Sequence, residues 1–152
     1  MYKKILSWML IIASITFVPV TTLGQISTPT DGGLIIVAKA SGDVTAIGPD
    51  GQTITLTKGS EITQGYVVNT GNASSVILAF SNGATINLAQ DSSLSIDEFL
   101  QDPFSDEVVL SELTAEPTTS TTKLSLSRGE LVGNVKKLNS DAGSSFDVQT
   151  PV

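Results

Sequence analysis

Glycine interrupts this chain at short intervals, at positions 42, 48, 51, 59, 65, 71 and 83. The runs between these glycines are short and rich in β-branched residues: Val44–Ile47, Thr53–Leu56, Ser75–Phe80 and Thr85–Leu88. An amphipathic helix needs ten or more residues of sustained 3.6-residue periodicity, and each internal glycine costs it about 1 kcal/mol. Strands joined by tight turns satisfy the same pattern without that cost. The chain therefore reads as all-β, built of short antiparallel strands in a sandwich or a squat solenoid-like roll.

Individual segments sharpen this reading. Leu34–Ala38 is a continuous apolar run, suited to a strand buried on both faces. Val44–Ile47 and Thr53–Leu56 flank Gly48-Pro-Asp-Gly51. There Pro49 presets φ, Asp50 can accept from its own backbone and Gly51 tolerates positive φ, so a hairpin is expected. Asp50-Gly-Gln-Thr-Ile-Thr-Leu56 recurs as Asn82-Gly-Ala-Thr-Ile-Asn-Leu88, predicting a second, similar hairpin. Ser75–Phe80 is the best central strand, and Ser93–Asp97 alternates with Leu94 and Ile96 on one face. Lys123–Leu126, Glu130–Lys137 and Phe146–Thr150 complete the strands, with turns at Ser127–Gly129 and Asp141–Ser145. Val76, Leu78, Phe80, Ile86, Leu88, Leu126 and Val148 are expected in the core. Residues 99–122 are acidic and Ser/Thr-rich and read as a surface excursion, with Val108–Leu113 a candidate short strand within it.

The N-terminus is an export signal by its pattern. Lys3 and Lys4 precede an apolar run, Ile5–Val18, and Thr22-Leu-Gly24 supplies small residues before Gln25. Residues 1–24 are read as a signal helix and 25–33 as a flexible lead-in. The alternative is an uncleaved anchor, although Ile5–Val20 is short for a bilayer span of roughly 20 residues. The expected location is extracytoplasmic, periplasmic or secreted.

Composition removes whole classes of chemistry. Without Cys or His there is no disulfide, thiolate or imidazole base, and no His- or Cys-ligated metal. The formal charge of −7 disfavours nucleic-acid backbones, and removal of Lys3 and Lys4 with the signal makes the chain more acidic still. Ser120-Thr-Thr-Lys123 matches the Ser-x-x-Lys nucleophile motif, but it lacks the partner motifs and the helix that chemistry requires. Asp91, Asp97, Glu98 and Asp102 offer oxygen ligands, but their spacing is not that of an EF-hand loop, and hydrophilic strand ends explain them. Asp43 and Asp50 read as turn residues bonded to local backbone, and Arg128 as a solvated turn cation able to pair with a partner's carboxylate. Tyr66, Phe80, Phe99, Phe104 and Phe146 form no evident stacking platform, and Phe80 and Phe146 are assigned to the core.

The glycine-turn pattern of Gly42–Leu88, with Leu124-Ser-Leu-Ser-Arg-Gly-Glu-Leu131 and Phe146-Asp-Val-Gln-Thr-Pro-Val152, resembles the FecR domain, a bacterial extracytoplasmic β domain. The resemblance covers residues 34–152. The family pattern runs on past the Thr-Pro-Val motif, so a truncated domain with an open strand edge near 146–152 is expected. The resemblance implies a non-catalytic binding, sensing or structural module of the cell envelope whose partner is an envelope protein or polymer. No catalytic, cofactor-binding or metal site is assigned, and membrane contact is expected only if the N-terminal segment stays uncleaved. Only Met1–Lys4 precede the apolar run, too few for the sigma-factor-binding segment of the best-known members. A membrane-anchored regulator and a carboxylate-based enzyme, which would need two converging acids in a pocket, stand as alternatives.

Overall fold

The computed structural model describes residues 31–104 and 109–151. The expected signal helix and residues 25–30 of the lead-in lie outside them. The protein is an all-β sandwich of two sheets. In chain order the strands are β1 (Asp31–Gly32), β2 (Ile35–Ser41), β3 (Val44–Ile47), β4 (Thr53–Thr55), β5 (Glu61–Ile62), β6 (Val67–Thr70), β7 (Ser75–Phe80), β8 (Thr85–Leu88), β9 (Ser93–Gln101), β10 (Ser120–Arg128), β11 (Leu131–Asn134) and β12 (Ser145–Gln149). A seven-stranded sheet has the order β12-β10-β9-β6-β3-β4, with β1 also paired to β9, and a five-stranded sheet has the order β11-β8-β7-β2-β5. Among the described residues the helical turns are two short 3-10 segments, Leu110–Glu112 and Ser140–Ala142.

One continuous core lies between the sheets. The five-stranded sheet supplies Ile35, Val37, Val76, Leu78, Phe80, Ile86 and Leu88; the seven-stranded sheet supplies Val44, Val68, Leu94, Ile96, Phe99, Leu124 and Leu126. Phe80 meets Phe99 and Phe146 edge-to-face, at ring-centroid distances of 5.1 and 6.4 Å, a favoured arrangement of the ring quadrupoles.

Both expected hairpins form. In the first, β3 pairs with β4, Gly48 N–H donates to Gln52 O, and Asp50 Oδ1 accepts from Gln52 N–H at 3.1 Å. In the second, β7 pairs with β8 around the Asn82-Gly83 turn. The two lie in different sheets.

Several expectations are corrected. The Leu34–Ala38 run is not buried on both faces: Ile35 and Val37 point into the core, while Leu34 and Ala38 are exposed. Among the described residues no layer covers the outer face of this sheet, so β2 behaves as an ordinary one-sided strand. Val148 shares the core-facing side with its partner Leu124 but is 39% exposed, because β12 is an edge strand. The β10–β12 pair is parallel; between them the chain crosses to the other sheet as β11 and returns through 135–144, as a parallel connection requires. Asp31–Gly32 pair with β9, so ordered structure starts ahead of Leu34. Phe99–Gln101 and Ser120–Thr122 belong to strands, which narrows the excursion to 102–119. Its Val109–Leu113 part is no strand: Val109 is exposed and a 3-10 turn follows.

Candidate functional site

A concavity of about 360 Å³ lies where β1, the end of β9 and the root of the excursion meet. Leu34 and Phe104, each 37% exposed, are among its lining residues, with Pro103 beside Phe104. Gly33 is required there by packing: a Cβ on it would stand 2.3 Å from the ring of Phe99. Three polar side chains line the groove, Ser81, Gln101 and Asp102, and the first two bond one another. Ser81 Oγ accepts from Leu34 N–H at 3.1 Å and donates to Gln101 Oε1 at 2.5 Å, while Gln101 Nε2 donates to Ser81 O. The groove thus combines apolar surface with a mutually bonded hydroxyl and carboxamide and the carboxylate of Asp102. That suits binding, because no hydroxyl in it is paired with a base.

The excursion springs from a fixed stem. Asp102 N–H donates to Thr119 O, and Thr118 Oγ1 donates to Asp102 O at 2.7 Å. Farther along, Glu116 is only 5% exposed. Its Oε2 accepts from Ser120 Oγ and its Oε1 from Asn139 N–H, each at 2.6 Å. Asn82 Nδ2 donates to Ser120 Oγ at 3.1 Å and Thr122 Oγ1 at 3.4 Å, and Asn82 Oδ1 accepts from Ala84 N–H at 3.0 Å. Ser120 N–H donates to Ser144 Oγ. This buried polar network joins the excursion, the β7–β8 turn, β10 and the link into β12.

On the outer face of the seven-stranded sheet, Asp97 accepts from Ser95 Oγ and Ser125 Oγ, and Lys123 Nζ lies 2.8 Å from Glu98 Oε2. The hydrogen bond to Glu98, then the charges of Glu98 and Asp147, hold the Lys123 ammonium above the ordinary lysine range.

The residues weighed from sequence are not brought together. Ser120 faces the core and Lys123 faces solvent, because positions three apart on a strand point to opposite faces. Asp91 occupies a turn at φ 53°, Asp97 and Glu98 are held by Ser125 and Lys123 of β10, and Asp102 lies at the excursion's root. No group of three or more acidic side chains placed to hold a metal ion occurs among the described residues. Asp50 bonds local backbone as expected, whereas Asp43 is fixed through its main chain, to Ser74 Oγ and Gly71 N–H. Arg128 ends β10 on the exposed side. Sequence reasoning missed Glu116 and Asn82. The available signal was the phase of β10: Ser120 and Thr122 occupy the same inward register as Leu124 and Leu126, placing two hydroxyls in the core.

A scan against protein-family models and searches of curated proteins and of solved structures return no match to the chain.

Proposed function

We propose that the protein is an exported, non-catalytic recognition module of the bacterial cell envelope, of the FecR type, and that it holds its partner in the groove at the root of the acidic excursion. The observation that carries this reading is the groove itself, a concavity on a rigid β scaffold with exposed Leu34 and Phe104 among its lining residues. Preformed apolar concavities with a few fixed polar groups are the usual form of binding sites. Two further observations support binding over turnover. The groove's hydroxyl and carboxamide are committed to one another, and the Ser-Lys pair of the nucleophile motif diverges across β10. The Lys-Lys start and short apolar run support export.

The test is cosedimentation of the purified mature protein with isolated envelope fractions. Wild-type protein should pellet with them, and a Leu34→Asp/Phe104→Asp variant should bind at least about tenfold more weakly. Equal retention of the two would clear the groove. Turnover of an envelope substrate, abolished by changing one carboxylate, would overturn the non-catalytic reading.

A further inference from the structure

We propose that Ser120 and Asn82 become joined by an intramolecular ester bond that the chain forms by itself. The Glu116–Ser120–Asn82 network has the parts of an acyl-transfer site. Ser120 Oγ donates to the carboxylate of Glu116 at 2.6 Å, the arrangement of a hydroxyl nucleophile on its general base. Both Glu116 oxygens act as acceptors, the second from Asn139 N–H, which holds the carboxylate in place. The carboxamide of Asn82 touches the same hydroxyl, with Nδ2 3.1 Å from Oγ. Its Oδ1 accepts from Ala84 N–H at 3.0 Å, so a backbone donor stands beside the oxygen that would carry the oxyanion. Ser120 and Thr122 are fully buried and Asn82 is 2% exposed. A site closed in this way can act only on the chain's own groups, and it excludes the water that would hydrolyse an ester.

The step balances without a redox partner. The carboxamide turns its face to Oγ about χ2, a broad torsion in Asn. Glu116 takes the Ser120 hydroxyl proton as Oγ bonds to Asn82 Cγ. Collapse of the tetrahedral adduct breaks the Cγ–Nδ2 bond, Glu116 returns the proton to the departing nitrogen, and ammonia leaves. The backbone nucleophile that competes for the same carbon in an Asn-Gly sequence is occupied: Gly83 N–H donates to Phe80 O at 2.9 Å. The bond would join the β7–β8 turn of one sheet to β10 of the other, across 38 residues of sequence. In a chain without cysteine it would serve as the covalent staple that disulfides provide elsewhere.

Intact mass spectrometry of the purified protein tests this. The expected mass is about 17 Da, one ammonia, below that calculated from its own N-terminus and sequence. Cleavage after glutamate should release residues 62–98 and 113–130, the Glu116-Pro117 bond being resistant, as one joined species, separable by hydroxylamine. Ser120→Ala and the near-isosteric Glu116→Gln should each restore the full sequence mass. Wild-type protein at full mass overturns the proposal. So does a loss of ammonia with the two peptides running separately, which places the loss at a succinimide of Asn82-Gly83 or at a cyclised N-terminal glutamine. A joined species that persists in Glu116→Gln removes the base from the mechanism.

Discussion

Phe80 is the residue on which the two layers turn. It is fully buried, belongs to the five-stranded sheet, and carries on its edges Phe99 and Phe146 from the other sheet. Phe80→Ala should cost roughly 3–5 kcal/mol in urea unfolding, the transfer term plus a cavity that the two remaining rings cannot close; a loss below about 1 kcal/mol would contradict this packing. Gly129 is constrained differently. At φ 90° it turns β10 into β11, and a Cβ there would stand 2.0 Å from Ser92 Oγ. Gly129→Ala should destabilise by at least about 1–3 kcal/mol, from backbone strain before the clash is counted, and equal denaturation midpoints would refute it. Lys123 gives the pH dependence its sign. Its folded value lies above the ordinary one, so its contribution is complete below the unfolded value and disappears as pH rises through the folded value. Melting curves of wild type and Lys123→Met should differ at neutral pH, converge in alkaline solution, and draw together in high salt because the pair is exposed.

At the scale of elements, irregularities decide which residues face the core. In β9 the pairing with β10 runs Lys123 to Glu98 and then Leu124 to Ile96, leaving Asp97 as an extra residue. This bulge shifts the inward phase from Ile96 to Phe99 and explains why strict alternation loses Phe99. In β2, Ala38 is the extra residue between Val37 and Lys39. Edge position matters equally. Ile54 and Ile86 occupy matching places in the repeated Thr-Ile-x-Leu motif. Ile86 is buried because β8 lies between β7 and β11, whereas Ile54 is 38% exposed because β4 ends its sheet. Native-state hydrogen exchange should therefore order the strands: amides of β4, β5, β11 and β12 should exchange first, and those of β7 and β9 last. Uniform protection across the sheets would contradict the topology. Among the described residues β12 (Ser145–Gln149) ends the seven-stranded sheet, with β10 as its one partner strand.

Beyond its two hairpins the molecule is assembled from non-local pairings. β2 finds β7 and β6 finds β9, and the chain passes repeatedly between the sheets. Closing such loops before their contacts form is slow, so refolding should take milliseconds to seconds, as for other all-β domains; microsecond relaxation would be inconsistent with this topology. The all-β class, the two hairpins, the central place of Ser75–Phe80 and six of the seven named core positions were legible from sequence, because glycine spacing, turn chemistry and two-residue alternation act locally. Local signals do not record which strand lies at an edge, where a bulge shifts the phase, or which distant polar side chains meet. Val148, Phe99 and Ile54 took their burial from sheet order and register. Glu116, Ser120 and Asn82 became one network only because the sandwich brings a loop, a strand and a turn to the same buried point, where each polar group must find a partner.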